Sequence, residues 1–222
     1  MRDYIEYGNG EFYILKDDKK YFVPVQRFHK FWKNPEKGNT PDTYAVDDQR
    51  SEILVNLFNL YCSKDDSILE LGCNIGRNLH HLYKSGFTKL SGLDIYESAL
   101  EEGSRIYPDT VAKVKRATTS IEDFVLDGQF LEFDVVFSMA VLMHLHPSSE
   151  WVFPYIARLA KKYIITVEDE EKASYRAVPR NYKSIFEKHH FKEIFQERVV
   201  FQNKVDDTGE VTLTYRVFKN ET

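Results

Sequence analysis

Short apolar runs alternate with amphipathic segments along most of the chain, and this alternation predicts five strand–helix units. Apolar runs predict buried strands at 67–71, 89–93, 111–115, 133–139 and 163–167. Helical spacing of apolar residues predicts helices between these runs, including one over 46–61 and one that begins after an expected N-cap at Ser148. Two longer β-prone runs, 191–202 and 211–218, are joined by a glycine-containing turn typical of a hairpin.

This order of elements predicts an α/β fold. We expect a doubly wound, mostly parallel, seven-stranded sheet of the Rossmann-like kind, with an antiparallel C-terminal strand and helices on both faces. Ligands of such sheets bind at the carboxyl ends of the central strands. The loops that follow the predicted strands are therefore where chemistry is expected.

The first 44 residues follow a different pattern. Residues 11–25 predict a hairpin with its turn at Asp17-Asp18, and an aromatic segment with Phe28, Phe31 and Trp32 follows. A loop rich in Pro, Gly and Asn then precedes the strand–helix units. We therefore expect an N-terminal extension, 1–44, and a main domain, 45–222. The extension suits either a lid that excludes water or a hydrophobic flap packed on the sheet edge.

Composition narrows the class of protein. Of 222 residues, 42% are hydrophobic and 29% charged, which is typical of a globular chain. Two cysteines, Cys62 and Cys73, are too few for a disulfide framework or a thiolate zinc site, so we expect a reducing, cytoplasmic location. No apolar run is long enough to cross a membrane. The net charge of −5 argues weakly against nucleic acid as a partner, although residues 11–40 carry seven basic against four acidic side chains.

The strongest local signal is the stretch Glu70-Leu71-Gly72-Cys73-Asn74-Ile75-Gly76-Arg77-Asn78, which ends the first predicted strand and begins a helix. Small residues in this position let a ligand approach the backbone closely, and asparagine tolerates positive φ. The N-terminus of the helix favours an anionic group. Asp94 ends the second predicted strand, where a carboxylate can accept hydrogen bonds from both hydroxyls of a ribose.

This stretch resembles motif I of the class I S-adenosylmethionine-dependent methyltransferases, in a form similar to that of small-molecule members, with Asn74 in place of a glycine. The resemblance implies that S-adenosylmethionine is the cofactor and that it is bound by Glu70, Gly72, Cys73, Asn74, Gly76 and Asn78. It further implies that Asp94 binds the ribose, that Ile95, Ser120, Ile121 and Glu122 surround the adenine, and that Met139 lies beneath the methionine part. The alternative is a tight turn in a domain without a ligand.

The segment after the fourth predicted strand borders the expected position of the transferred methyl group. His144 is therefore the candidate base or acceptor-orienting group, and the alternative is an imidazole that hydrogen-bonds backbone at a strand–helix corner. His144 and His146 have no carboxylate or thiolate at ligand spacing, so we expect no metal site. Residues 138–141 lack both the Asp/Asn-Pro-Pro-Tyr/Phe motif and the cysteine typical of two classes of nucleic-acid base methylases.

Acceptor-binding residues are expected in the extension and after the fifth predicted strand. They are Tyr44, Arg176, Arg180 and Tyr182, and the two arginines suit an anionic acceptor unless they belong to a solvated loop. The resemblance thus implies methyl transfer to oxygen or nitrogen of a small molecule, and the two arginines favour an anionic one. An RNA methyltransferase with a basic, aromatic arm and a non-catalytic nucleotide-binding scaffold remain alternatives, and the oligomeric state is left open.

Overall fold

A computed structural model describes residues 4–8, 11–16, 19–35, 40–45, 48–127, 131–174, 176–202 and 209–222. The N-terminal part begins with three antiparallel strands in the order β1-β2-β3. These are β1 (Tyr4–Gly8), β2 (Glu11–Lys16) and β3 (Lys19–Phe22), and the helices α1 (Val25–Lys33) and α2 (Pro41–Tyr44) follow. The predicted hairpin is confirmed as the β2–β3 pair, whose turn at 17–18 lies outside the described residues; β1 was not predicted.

Within the described residues, seven strands form the main sheet in the order β6-β5-β4-β7-β8-β10-β9. They are β4 (Ile68–Leu71), β5 (Leu90–Asp94), β6 (Lys115–Thr118), β7 (Phe133–Met139), β8 (Ala160–Glu168), β9 (Phe191–Gln202) and β10 (Glu210–Asn220). The first five in this order are parallel, whereas β10 runs antiparallel to both β8 and β9. The predicted fold class is confirmed, and the antiparallel strand is inserted beside β8 rather than placed at the edge.

Helices cover both faces of the sheet, because alternate strand residues point to opposite sides. The helices are α3 (Asp48–Tyr61), α4 (Arg77–Lys84), α5 (Glu97–Ile106), α6 (Pro108–Val111), α7 (Ile121–Asp127), α8 (Phe153–Leu159) and α9 (Tyr182–Glu187). In β4, Ile68 packs into one buried cluster with Leu54 and Phe58 of α3. Its neighbour Leu69 packs into the other, with Ile156 of α8. The two clusters form the core on either side of the sheet.

Two local predictions were wrong. The third parallel strand is 115–118 rather than 111–115, because Pro108–Val111 forms a helical turn that continues the preceding helix. Ser148 does not cap α8; a 3₁₀ helix, Pro147–Val152, precedes it, and the backbone N–H of Ser148 donates to the ring of His146 at its start. Helix α9 is capped by the Asn181 side chain, which accepts a hydrogen bond from the amide of Ser184.

The N-terminal extension is attached to the main domain through a small apolar cluster and a buried histidine. Phe12, Val23 and Phe28 pack against Val178. His146 bridges the two parts, since its Nε2–H donates to the carbonyl oxygen of Val23 across 2.8 Å. This contact places the extension over the loops that follow β7, at the carboxyl edge of the sheet. Among the described helices, none is both long and apolar enough to cross a membrane.

Candidate functional site

A cavity of about 590 Å³ lies at the carboxyl ends of β4, β5 and β7, beneath α1 and α2. Most of the residues predicted from the sequence line it. They are Tyr44, Glu70, Gly72, Cys73, Asn74, Asn78, Asp94, Ile95, Ser120, Ile121, Glu122, Met139, His144 and Arg176. Gly76, Arg180 and Tyr182 are not among the lining residues. The structure therefore gathers side chains from distant parts of the sequence around one enclosed space.

The turn after β4 needs its small residues for two different reasons. Gly72, Asn74 and Gly76 all have positive φ, of 73°, 46° and 83°. At Gly72 a Cβ atom would also lie 2.6 Å from Cγ1 of Val141 and nearer still to its Cγ2, so no side chain fits there. At Gly76, the residue preceding α4, a Cβ would meet no atom within 4 Å, so the requirement there is conformational only.

Asp94 ties this turn to the end of β5. Its carboxylate accepts hydrogen bonds from the backbone N–H groups of Asn74, at 2.7 Å, and Tyr96, at 2.8 Å. Burial raises the pKa of Asp94, and these backbone hydrogen bonds oppose that rise. Each carboxylate oxygen has a further lone pair, so the group can still accept hydrogen bonds from ligand hydroxyls.

A buried hydrogen-bond chain connects α3 to the acid at the end of β4. Ser51 Oγ accepts from Arg77 Nε at 3.0 Å and donates to Asn78 Oδ1 at 2.7 Å, and Asn78 Nδ2 donates to Glu70 Oε1 at 2.7 Å. Burial raises the pKa of Glu70 to about 8. Among the described residues its Oε2 has no hydrogen-bond partner. A buried carboxylate oxygen beside a cavity is suited to a cationic amino group.

Glu122 makes contacts that the sequence did not predict. Its Oε1 accepts from Ser149 Oγ at 2.7 Å and lies 3.1 Å from Nε2 of His29, a residue of α1. Burial opposes ionisation of Glu122, but the hydrogen bonds from His29 and Ser149 outweigh it and lower the pKa of the carboxyl. The same contact raises the pKa of His29. Glu122 thus links the extension to α7 at the border of the cavity.

His144 makes the backbone contact that was the alternative considered for it from the sequence. Its Nδ1 lies 2.8 Å from the carbonyl oxygen of Arg176, which can only accept, so Nδ1 carries the proton and Nε2 the lone pair. Burial lowers the pKa of His144 to about 4, so the ring is neutral near pH 7. The Trp32 ring lies against it with centroids 4.3 Å apart. The imidazole hydrogen-bonds backbone and also lines the cavity.

Basic and aromatic side chains also line the cavity. Arg50, Lys172 and Arg176 are all lining residues, with Asp169 as an acid beside them. The guanidinium of Arg176 lies 4.7 Å from the ring centre of Phe31. Burial raises the pKa of the Tyr44 hydroxyl, while Arg176, Arg77 and Arg50 oppose the rise. The Tyr44 phenol therefore lies in the field of three arginines and of Asp94, which adds to the rise.

The structure places Arg180 and Tyr182 away from the cavity, contrary to prediction. Arg180 is inside the fold and donates to the carbonyl oxygens of Leu142, at 3.0 Å, and Leu145, at 2.7 Å. The ring of Tyr182 is fully buried against Phe153 in the core. Both side chains hold the loop after β7 and its supporting core. Among the described residues, no group of three His, Cys, Asp or Glu side chains is arranged to hold a metal ion.

Comparison with protein families identifies the strand–helix region. Residues 68–163, somewhat under half of the chain, match a family model described as a methyltransferase domain. This part of the chain carries a methyltransferase domain, and the fold is the one found in an S-adenosylmethionine-bound methyltransferase. Comparison of this methyltransferase with curated protein sequences gave no significant match.

Solved structures share the fold of this methyltransferase at low sequence identity. Magnesium protoporphyrin IX methyltransferase from Synechocystis PCC 6803, with bound S-adenosylmethionine, is 14% identical, with a TM-score of 0.66 over 89% of this chain and 97% of that one. The N-methyltransferase NodS from Bradyrhizobium japonicum WM9 is 15% identical, with a TM-score of 0.62 over 82% and 100%. A Pyrococcus horikoshii protein with a proposed RNA methyltransferase function is 12% identical, with a TM-score of 0.61 over 89% and 96%.

The residues around the methyltransferase cavity fit S-adenosylmethionine. The unpartnered Oε2 of Glu70 suits the ammonium of the methionine part, and Asp94 retains lone pairs for ribose hydroxyls. The bare backbone of Gly72 allows close approach. The cofactor supplies a methyl group already activated by a sulfonium, so the protein's own contribution is to bind and align the reactants.

Proposed function

We propose that this methyltransferase transfers the methyl group to oxygen or nitrogen of a small molecule. The supporting observation is that the extension covers the cavity, with Trp32 of α1 packed 4.3 Å from His144. A volume of about 590 Å³ lies in the range of pockets that enclose one drug-sized ligand. Once the nucleoside and methionine parts of the cofactor are accommodated, the remaining space suits a compact acceptor.

His144 is suited to orienting the acceptor. Methyl transfer requires the attacking lone pair about 3–3.5 Å from the methyl carbon and in line with the departing sulfur. The Nε2 lone pair of His144 can accept a hydrogen bond from an acceptor O–H or N–H and so direct the other lone pair of that atom. With a pKa of about 4, the imidazole is a weak base, so orientation is a larger part of its role than complete proton removal.

The proposed acceptor is anionic. Acids that suit a cationic cofactor, Glu70 and Asp94, line the cavity together with three basic side chains, those of Arg50, Lys172 and Arg176. Asp169 offsets this charge only partly, because it is a single acid beside three basic side chains. A carboxylate or phosphate on the acceptor would complete this charge distribution.

RNA is a second candidate acceptor, favoured by one feature of the extension. Strand β3 exposes Tyr21 and Phe22, and the ammonium of Lys20 lies 4.1 Å from the ring centre of Tyr13. Exposed aromatic rings with nearby lysines are typical of surfaces that stack on single-stranded bases.

A labelling experiment distinguishes the two candidates. The protein is incubated with S-adenosylmethionine carrying a radioactive methyl group, first with pools of carboxylated and phosphorylated metabolites and then with total RNA. We expect label in a small anionic product, with transfer reduced at least tenfold in Arg176→Ala and unchanged in the control Arg105→Ala, whose side chain is exposed and paired with Glu102. Label found in RNA alone would contradict the proposal.

A further inference from the structure

Glu168, the last residue of β8, is a fully buried acid that lies outside the lining of the cavity. Its carboxylate accepts from Ser138 Oγ at 2.8 Å. It also accepts from three consecutive backbone amides, those of Val141, Leu142 and Met143, each at 3.1 Å. One side chain thus receives four protein donors from the end of β7 and the loop after it.

These amides belong to the segment we name the His144 loop, residues 140–144. The segment begins at Ala140, which has a φ of 53°, and continues into the 3₁₀ helix Leu142–His144. The first amides of a helix have no carbonyl partner within it and favour a negative charge. A non-glycine residue in the left-handed region is held there only when its surroundings fix it. Here the amide of Ala140 donates to the carbonyl oxygen of Val167 at 2.8 Å, and the next three amides are held by Glu168.

The His144 loop joins the cofactor side of the cavity to its acceptor side. Val141 fills the space above Gly72, where a Cβ would clash with it. At the other end, His144 donates to the carbonyl oxygen of Arg176 and packs against Trp32. A shift of this loop would therefore move the groups that border both reactants.

We propose that Glu168 is a positioning residue, whose carboxylate holds the His144 loop in the conformation that presents His144 to the acceptor. This inference rests on the proposed function in one respect, namely that the His144 loop borders the bound acceptor. An ionised carboxylate accepts at both oxygens, which the four donors require. A protonated carboxyl group or a glutamine amide carries an O–H or N–H group of its own. That group would face one of the four donors, which cannot accept a hydrogen bond, so part of the loop would be released.

The protonation state of Glu168 changes near neutral pH. Burial raises its pKa to about 7, against the opposing hydrogen bonds from Ser138 and the loop amides. Tyr182 of α9 interacts electrostatically with Glu168, and Arg180, which precedes that helix, and Glu170, which follows β8, act on the same tyrosine. Burial raises the pKa of Tyr182 well above its ordinary value, and His144 titrates near 4, so neither of these two changes charge between pH 5.5 and 9.

The fluorescence emission of a tryptophan can report the conformation of the His144 loop, and the measurement does not require the acceptor to be known. The chain has two tryptophans, and the variant Trp151→Phe leaves Trp32, against which His144 packs, as the only one. In this background we expect the emission to titrate between pH 5.5 and 9 with a midpoint near 7. Adding Glu168→Gln should abolish the transition and fix the emission near its low-pH value. His29 lies on the same helix as Trp32 and has a raised pKa, so every variant also carries His29→Gln, which removes the titration of that residue from the emission.

Ser138→Ala is the second arm, and it tests the proposal even if Glu168→Gln does not fold. It removes one donor to the carboxylate and leaves the three loop amides, so the midpoint should rise by about 0.5–1 pH unit. A midpoint unmoved by Ser138→Ala, or a transition that survives Glu168→Gln, would overturn the proposal. Neither measurement uses cofactor or acceptor, so an error in the proposed acceptor would leave this test intact.

Discussion

The Nδ1–H group of His144 donates a hydrogen bond to the carbonyl oxygen of Arg176 across 2.8 Å. This bond fixes the tautomer of the imidazole and leaves the lone pair on Nε2. It also ties the loop after β7 to the segment after β8, so two parts of the chain that border the cavity are held together. The ring of His144 also packs against Trp32, so the N-terminal extension contacts the loop after β7 as well.

Replacing His144 with alanine should lower turnover and leave cofactor binding intact. We expect roughly a 10–100-fold loss of kcat, because an orienting hydrogen bond is removed while Glu70 and Asp94 keep their positions. The dissociation constant for S-adenosylmethionine, measured by calorimetry, should change less than twofold. Full activity of His144→Ala would exclude the orienting role.

His146→Ala is the matched control for that measurement. Its ring bonds the carbonyl oxygen of Val23 and packs edge-on against Phe28, so its loss should lower the melting temperature instead. The pH dependence of kcat gives a second check on His144. Because the pKa of His144 is lowered to about 4, its ring is neutral above that value, and it should contribute no acid limb to kcat between pH 5 and 7.

Asp94→Ala should weaken the binding of S-adenosylmethionine by roughly 1–3 kcal/mol, the cost of leaving ligand hydroxyls without an acceptor. The variant also frees the amides of Asn74 and Tyr96, so part of the loss would come from the turn itself. Calorimetry measures the affinity of the variant for the cofactor and for its demethylated product. Asp123 is an exposed acid in the same region, hydrogen-bonded to Ser120. The control variant Asp123→Ala should bind S-adenosylmethionine as tightly as the parent does. An unchanged affinity of Asp94→Ala would remove Asp94 from the site.

Local features of the site could be predicted from the sequence, and long-range ones could not. The turn after β4 is encoded by Gly72, Asn74 and Gly76 within five residues, because positive φ restricts which residues can occupy it. The anchor at Glu168 could not be predicted, since its four donors lie 25–30 residues earlier in the chain. A carboxylate in an acidic run carries no local sign that it is buried.

Irregular segments and edge strands account for the errors. Arg176 and Arg180 are four residues apart in a loop without periodicity, so their sequence could not show that one lines the cavity and the other is buried. The third parallel strand, β6, is an edge strand whose side chains are mostly exposed. It therefore lacks the apolar run by which buried strands are predicted, and the apolar residues just before it were assigned instead.

Alanine at Gly72 should be far more damaging than alanine at Gly76. Both positions have positive φ, which costs an L residue about 1–2 kcal/mol. At Gly72 the new methyl also clashes with Val141, which adds roughly 1–3 kcal/mol and pushes the His144 loop away from the turn. Chemical denaturation and cofactor calorimetry on the two variants isolate the steric part, because the conformational cost is common to both. Equal losses at the two positions would show that Val141 does not fix this contact.

The ion pair between His29 and Glu122 should make attachment of the extension depend on pH. The pKa of His29 is raised, so its contribution is complete below about 6.5 and is lost as the pH rises through its folded value. The pKa of Glu122 is lowered, so its contribution is present above about 4.5 and is lost as the pH falls through its folded value. The pair therefore stabilises the fold most between about pH 4.5 and 6.5.

The variant His29→Gln tests this dependence by thermal unfolding at two pH values. Because His29 is partly exposed, the pair contributes at most about 1 kcal/mol, which corresponds to a melting temperature lower by about 2–4 °C at pH 6. At pH 8.5 the neutral ring has lost the charged contact, so the difference from the parent should become smaller. Glu102→Gln, which breaks the exposed pair with Arg105, should show no such change between the two pH values. If His29→Gln lowers the melting temperature equally at both, the charge of His29 does not hold the extension in place.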